Sequence, residues 1–534
     1  MSHGEKMIPA PILLNGAWKP ARATDVFTAF DPTTGLPGSD PYPISDFRDV
    51  EEAILSARQA AREMETIPPA ATAAFLDRFA EGILRRADDL VEVAHSETAL
   101  PKEPRLRTTE LPRTLNQLHQ AAQAARDGSW RQATIDSKPN IRSIRGPLGG
   151  PVVVFGPNNF PFAYNSAAGG DFAAALAAGN PVIAKSHPSH PGTTRVFAEI
   201  AGDAMADVGF PRAAFQLLYH LAPEDGLKMV THPFVGATAF TGSRRSGLRL
   251  KQAAEAAGKL IYLEMSSLNP LFLLPGAVGE KGEAIAAELF ASCSQGTGQF
   301  CTKPGLAIVL DGDSGRNFLA GTQERFQSSP SGYLLNLGVR EAVVAAVDGL
   351  IKNGAVLLTG GHSRPEPGYR FENTLLTISG ERFLRNGAAL QSEAFGPVTM
   401  IVLAESEEVL IRIAEALEGN LSACIYSSPD GRDEPLQDRL ALILRPKTGR
   451  LLNDKMPTGL AVVPAMVHGG PYPATGHPGF TSVGFPASIL RFTALRGYDN
   501  VRPNRLPVEL QDKNPTGTMW RLIDGLWTQG DAGS

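Results

Sequence analysis

The chain predicts an α/β protein: a parallel, helix-covered sheet of the nucleotide-binding kind, followed by a second α/β unit. Three observations carry this. From Pro151 onward, short apolar runs alternate with helix-like stretches at about 25–35 residue spacing, the pattern of strands joined by helical crossovers. Apolar residues make up 43% of the chain and charged residues 20%, an ordinary globular balance. The length, 534 residues, gives room for two large domains or three average ones.

The elements follow in order. Asn15-Gly16 sits between apolar runs in residues 11–30, a hairpin signal. Asp46–Ala61 reads as an amphipathic helix with acids in its first turn. Helical patterns continue through Thr72–Ala94 and Thr108–Ala125. The polar stretch Asp127–Gly146 contains the alternation IRSIRG and is predicted as a strand excursion from the main body. PVVVFGPNNFPF is then a buried strand and turn, GDFAAALAAGN a small-residue helix ended by Gly179-Asn180, and PVIAKSHP a second strand. TTRVFAEIAGDAMADVG is a helix, AFQLLYH a strand, GATAFTGS a strand into a Gly-rich turn, and KLIYLEMSS one more strand. A second alternating region spans about Asn269 to Val483, with strands in PLFLLPGA, GLAIVL, GAVLLTGG, VTMIVLAES, SACIYSS and GRLLNDK. The tail from Gly497 is polar and proline-rich, but its WRLIDGLW is predicted to dock on something apolar.

Composition also excludes. Fifty basic residues against fifty-five acidic give a net charge of −5, so no basic excess draws the chain to nucleic acid or an anionic membrane. The 54 glycines and 42 prolines are scattered as turn residues, with no collagen-like period. Three cysteines, Cys293, Cys301 and Cys424, make neither a disulfide framework nor a zinc signature, and no metal is expected. The start, MSHGEKMIPAPILLNG, lacks an apolar core long enough for a signal peptide, and no run of about 18 apolar residues occurs. A reduced, cytoplasmic setting is therefore expected.

Four local features carry chemistry. They are a cysteine in a Gly-rich turn (Gly298-Gln299-Phe300-Cys301-Thr302), an acid ending a strand (Leu263-Glu264-Met265-Ser266-Ser267), a strand-end turn with two amides (Phe155-Gly156-Pro157-Asn158-Asn159-Phe160-Pro161), and Phe240-Thr241-Gly242-Ser243 with Gly247 opening a helix. Each alone has a bland reading: a packed thiol, a solvated strand end, a turn, an N-cap. Together, in this order and at these separations, they resemble the aldehyde dehydrogenase superfamily over nearly the whole chain. Glu393-Ala394-Phe395-Gly396-Pro397-Val398 and Asn453-Asp454 add to the likeness. EMSSLNPLFLLPGA, GTGQFCTKPGL, AMVHGGPYPAT followed by TSVG, and NPTGTMWRLIDG are similar to the branch holding NADP-dependent 2,5-dioxovalerate (α-ketoglutaric semialdehyde) dehydrogenases and related fatty aldehyde dehydrogenases.

The resemblance implies a fold and a division of the chain: a Rossmann-type cofactor domain from residues 1–128 and 148–264, a catalytic α/β domain over 265–478, and a small β oligomerisation element from 129–147 with the 479–534 tail. Part of that element would add to a neighbouring subunit's sheet, making a homodimer or homotetramer. The resemblance also implies roles. Cys301 is the nucleophile and must be deprotonated to act. The Asn159 side chain and the Cys301 N–H hold the alkoxide. Glu264 activates water against the thioester, and its presence favours hydrolysis over transfer to coenzyme A. His468 either poises the thiolate or is a structural turn histidine. Cys293 reads as packing.

For the cofactor, the resemblance implies that Lys185 contacts the adenosine ribose. Thr241, Gly242, Ser243 and Gly247 would cradle the pyrophosphate at a helix start. Glu393 would hold the nicotinamide ribose, with Phe395 beside it. NAD-preferring members carry a Glu three residues after the lysine, where this chain has Pro188. Losing that carboxylate removes repulsion of a 2′-phosphate, so NADP is favoured, NAD remaining open. Ser186, His187, Ser189 and His220 are candidate donors there.

The branch implies a 2,5-dioxopentanoate substrate, hence Arg donors for its carboxylate. Arg107 and Arg113, on a stretch similar to the helix bordering the substrate tunnel, are the candidates, with Phe160 in the tunnel; a solvated helix face is the competing reading. Pro112 and Glu110 depart from the branch pattern. Open alternatives are an aliphatic or aromatic aldehyde, a cofactor-independent cysteine esterase using Cys301 and His468, and a silent binding protein.

Overall fold

The computed structural model describes residues 8–533. The reading of a missing signal peptide begins in residues 1–7, which lie outside the described residues, as does the very start of the expected cofactor domain.

A seven-stranded sheet organises the first half. Its order is Leu260–Glu264, Ala237–Thr241, Val152–Phe155, Val182–Lys185, Phe215–Leu218, Ile12–Leu14, Ala17–Lys19. The first five strands run parallel. Their central members are nearly all apolar because helices cover both faces of such a sheet. The helices Phe47–Met64, Gly170–Ala177 and Pro191–Val208 pack on it. Phe172, Leu176, Phe197 and Ile200 share its core with Val152, Val153 and Val154. The N-terminal hairpin adds the last two strands antiparallel. It turns on Asn15 and Gly16, with φ of 52° and 70°, the left-handed pair that Asn-Gly accommodates.

Two helical stretches depart from the sequence pattern. The stretch Thr72–Ala94 divides into Pro69–Arg85 and Ala87–Thr98, parted at Arg86 (φ −106°, ψ 25°). Thr108 does not open a regular helix. Lys102–Glu110 forms a wider helical turn, and the α-helix runs Leu111–Asp127. Pro112 falls in its first turn, where a missing N–H costs no intrahelical bond.

The second half is built on another seven-stranded sheet, ordered Val356–Thr359, Thr374–Ser379, Val398–Ala404, Leu306–Leu310, Leu271–Leu273, Asn420–Tyr426, Thr448–Asn453. All are parallel except the edge strand Val356–Thr359. Thr374–Ser379 is absent from the apolar runs read in the sequence.

A third sheet joins the polar excursion to the tail. Thr134–Asp136 and Ile141–Pro147 pair as an antiparallel hairpin. Thr493–Asp499 lies on one side of it, and Arg521–Ile523 with Leu526–Thr528 on the other. The tail motif therefore docks on the excursion of its own chain. Ile523, Met519 and Leu510 pack with Ile135 and Ile144, while Trp520 and Trp527 stay exposed. Among the described residues no helix is long and apolar enough to cross a membrane.

Four parallel strands of the first sheet end side by side. Register places Phe155 opposite Lys185 and Phe240, and Thr241 opposite Glu264. In open α/β sheets ligands bind in the crevice outside such carboxyl ends.

Candidate active site

The helix Pro275–Ser294 ends shortly before Cys301. Gly296, Thr297 and Gly298 then take φ of 56°, 55° and 67° and reverse the chain. Gly298 has to be glycine, since a Cβ there would run into the Gly396 carbonyl. The segment bearing Glu393 and Phe395 thus passes directly against the cysteine loop. Cys301 emerges half-buried, its Sγ 3.1 Å from His468 Nε2. The same nitrogen lies 2.9 Å from Glu264 Oε1. The reactive atoms of the three residues all lie within 4.8 Å of one another. His468 is placed there because its segment crosses the end of the Glu264 strand. Its N–H donates to Thr481 O at 2.8 Å, Met265 N–H donates to Ala474 O at 2.8 Å, and Glu264 bridges Thr475.

Charge follows from this packing. Burial, then the Glu264 carboxylate, pushes the Cys301 thiol well above its ordinary value, with Arg113 pulling the other way. Burial also lifts Glu264, but the His468 charge and hydrogen bond outweigh it and hold the carboxyl below its usual range. The proton therefore rests on sulfur, with an imidazole and a carboxylate both in reach. Transfer to Glu264, with the charged imidazole beside the sulfur, produces the thiolate that nucleophilic attack requires.

Asn159 is buried in the turn after Val152–Phe155. Its Nδ2 donates to Gln299 O at 2.8 Å, which ties it to the cysteine loop and leaves its second amide hydrogen. The Cys301 N–H has no protein acceptor among the described residues. Two donors without a full set of protein acceptors among the described residues therefore lie on the cysteine loop and on the turn bonded to it.

The expected cofactor residues line the strand ends. Lys185 ends its strand half-buried, and burial draws its ammonium down to about 8. Ser186 Oγ donates to His187 O at 3.3 Å. His187 Nδ1 accepts from Ser189 N–H at 3.1 Å, and its ring stacks on His190 with centroids 5.5 Å apart. Ser189 Oγ accepts from Asn336 Nδ2 at 2.8 Å. His220 meets the Phe27 ring at 5.4 Å, and its Nδ1 has no hydrogen-bond partner among the described residues.

Thr241 ends its strand, and the Gly242 N–H donates to Glu264 O at 3.0 Å. Ser243 caps the helix Arg244–Ala256, its Oγ accepting from Ser246 N–H at 3.3 Å. Gly247 is small because a Cβ would press on Met265 Sδ. Burial lifts the Glu393 carboxyl to about 7 against Lys303 and the Ser266 hydroxyl; Phe395 is half-buried two residues on. A helix start, a strand-end lysine and an orphaned imidazole nitrogen, with no acid in between, suit a dinucleotide phosphate.

One substrate candidate is corrected. Arg107 does not face the site. It is half-buried and pairs with Asp88 at 2.6 Å and Glu103 at 3.4 Å. The wide turn Lys102–Glu110 aims its residues differently from a regular helix, so Arg105 points inward instead. Arg113 does reach the site, donating to Tyr164 Oη at 2.8 Å and lying 5.5 Å over the Phe160 ring. Phe160 itself is buried, edge-on to Phe300 at 5.3 Å. Arg105 and Glu110 form a buried ion pair (3.2 Å) beside these rings. Lys303, fully buried, donates to Ala394 O at 3.1 Å and Val398 O at 2.6 Å and so supports the Glu393 segment. A lysine two places after the cysteine in an apolar context is the one signal that pointed to it. Glu264 and His468 line a cavity of mixed character with Tyr262, Phe480, Asp171 and Arg491, in which Arg491 pairs with Asp171 at 2.9 Å.

Comparison with known proteins now bears on this geometry. The pattern of the aldehyde dehydrogenase family matches residues 18–442. The chain belongs to the aldehyde dehydrogenase family. It is similar to alpha-ketoglutaric semialdehyde dehydrogenase 2 of Azospirillum brasilense, with 39% identity covering 96% of this chain and 98% of the relative. A second relative, the alpha-ketoglutaric semialdehyde dehydrogenase of Acinetobacter baylyi, is 34% identical over 90% of this chain and 92% of its own. Among solved structures, an aldehyde dehydrogenase variant of Pseudomonas syringae with NAD+ and octanal superposes with a TM-score of 0.79 at 20% identity, covering 95% of this chain and all of that one. Lactaldehyde dehydrogenase of Escherichia coli gives 0.79 at 21% identity over 92% and 98%. This aldehyde dehydrogenase is thus an oxidoreductase with the fold of that family, which uses a nicotinamide dinucleotide.

Proposed function

We propose that this aldehyde dehydrogenase oxidises 2,5-dioxopentanoate to 2-oxoglutarate with NADP+, releasing a free carboxylate. The Cys301–His468–Glu264 cluster is the observation that carries the chemistry. Glu264 takes the thiol proton and releases it to solvent, the charged His468 poises the thiolate, and the sulfur adds to the aldehyde carbon. Asn159 Nδ2–H and the Cys301 N–H hold the resulting alkoxide. When bound, the dinucleotide supplies the two-electron acceptor that takes the adduct to the thioester oxidation level. Lys185, Ser243 and Glu393 would hold that group against the strand ends, with Phe395 beside it. Glu264 then accepts a proton from water as its oxygen attacks the thioester; the C–S bond breaks and the thiolate is restored.

The two similar semialdehyde dehydrogenases support the acid substrate, and Arg113 is the group in place to meet its carboxylate. Pro188 supports NADP by leaving no acid against a 2′-phosphate, with His187, Ser189 and His220 beside it. We assign the first sheet to cofactor binding and the second to catalysis. The third, whose outer strands expose Leu495, Leu526 and Trp527, would join copies of the chain in a cytoplasmic homo-oligomer.

The test is a panel of aldehydes of equal length, with and without a terminal acid, under NADP+ and NAD+. The acid-bearing aldehyde with NADP+ should give the highest kcat/KM. Equal rates for plain aliphatic aldehydes, or a preference for NAD+, would reject the substrate or cofactor assignment respectively. An apolar tunnel alone discriminates by only about 1–3 kcal/mol per methylene.

A further inference from the structure

We propose that Arg105 is a positioning residue that fixes the Asn159 amide relative to the Cys301 sulfur. The proposal rests on the alkoxide-holding role assigned to Asn159 above. Four contacts of one buried side chain point to it. Arg105 Nη2 donates to the Asn159 carbonyl at 2.7 Å. Its Nε donates to Glu110 Oε2 at 3.2 Å. Its guanidinium lies 4.3 Å from the Phe160 ring and 4.5 Å from the Phe300 ring. Phe160 follows Asn159, and Phe300 precedes Cys301, so one planar cation touches the neighbour of both reacting groups.

Glu110 completes the clamp. Its Oε1 accepts from the Phe162 N–H at 2.9 Å and the Ala163 N–H at 3.1 Å. The turn carrying Asn159 is therefore held from both sides by one ion pair borne on a separate segment. Direct linkage between turn and cysteine loop is a single hydrogen bond, Asn159 Nδ2 to Gln299 O. Without Arg105 the two loops, which belong to different sheets, keep only that bond and the contact of Phe160 with Phe300. The carbonyl of Asn159 would also lose its charged donor in a buried site, where such a loss is expensive. A flat guanidinium can lie against two rings and still donate in its plane; a lysine cannot do both.

The test combines Arg105→Lys, Arg105→Met and Glu110→Gln with an Asn159→Ala background. In the wild-type background, both Arg105 variants should lower the pre-steady-state burst rate by roughly 10–10²-fold, the scale of a small misplacement at a reacting centre. Aldehyde KM and NADP+ Kd should change by less than about threefold, and the loss should be equal for acid-bearing and plain aldehydes. Glu110→Gln, which keeps an acceptor, should fall in between. In the Asn159→Ala background the same Arg105 substitutions should cost little more, because the group they position is gone. Additive losses in that cycle would overturn the proposal. A loss confined to acid-bearing aldehydes would also overturn it, making Arg105 a carboxylate receptor. So would a normal burst rate per titrated active site with a lowered active fraction, the mark of a folding role. If Arg105→Met does not fold, Arg105→Lys carries the cycle. Asn159→Ala itself should leave a residual, measurable burst about 10²–10³-fold slower; an undiminished burst would instead sink the role of Asn159, a failure distinct from that of Arg105.

Discussion

The two ends of the crevice above the first sheet are built on opposite principles. At the Cys301 end, opposite charges and donors crowd together. A thiol, an imidazole and a carboxylate lie within hydrogen-bond reach, and two loops are cross-linked around them. At the Lys185 end basic groups gather, with the buried Glu97 held by the Gly192 and Thr193 N–H groups just past His190. Burial, then His190, Lys185 and His220, hold His187 well below its ordinary value, and burial followed by Lys185 takes His220 down to about 4. The chemical end is specified by contacts already made. The Lys185 end instead has imidazoles that burial keeps uncharged beside a lysine drawn down to about 8, the set we propose selects the cofactor. One end should be intolerant of any change; the other should shift preference without losing catalysis.

The harshest way to break this contrast is Cys301→Ala. Dehydrogenase turnover should fall by at least about 10⁴-fold while NADP+ still binds, read by NADPH absorbance and by ligand-induced fluorescence quenching. Retained turnover would show that the sulfur is not the nucleophile. Glu264→Gln should come next. A single burst of NADPH should appear and then stall, with steady-state turnover down about 10²–10⁴-fold; an undiminished steady state would mean another base serves the water.

At the other end, Pro188→Glu should leave kcat nearly intact and raise the NADP+ to NAD+ Kd ratio by about tenfold, the scale of one like-charge contact near the surface. An unchanged ratio would place 2′-phosphate recognition elsewhere. The mildest effect concerns pH. Because the Glu264 charge raises the thiol, Glu264→Gln should move the pH midpoint of Cys301 alkylation by iodoacetamide downward, the thiolate appearing at lower pH than in the wild type. An upward move would contradict the electrostatics of the cluster.

Much of this was legible in residues alone, for reasons that differ by place. Strands such as Val152–Phe155 and Leu306–Leu310 announce themselves because both faces are buried and few polar residues interrupt them. Asn15-Gly16 announces its turn because few other pairs accept two positive φ values. Thr374–Ser379 hides because two threonines and a serine dilute its apolar run. Arg107 is a candidate and Arg105 is not, because the family likeness presents the stretch as a regular helix, and Lys102–Glu110 does not keep its period. Glu110, an apparent departure from the branch pattern, turns out to accept two backbone N–H groups beside the catalytic amide. His468 is distant from Cys301 in the chain, and only the crossing of residues 467–482 over the Glu264 strand brings them together.

Gly298 and Gly396 meet main chain against main chain, with no side chain between them to act as a cushion. The strip that bears Glu393 and Phe395 and the strip that bears the sulfur are in effect one rigid plate. An insertion made in either to admit a bulkier electron carrier would be transmitted undamped to the other. The Lys185 end is joined to the cysteine loop through side chains instead, Asn336 Nδ2 donating to Ser189 Oγ and the Leu335 N–H to Gln299 Oε1, so redesign for a different redox partner has more slack there.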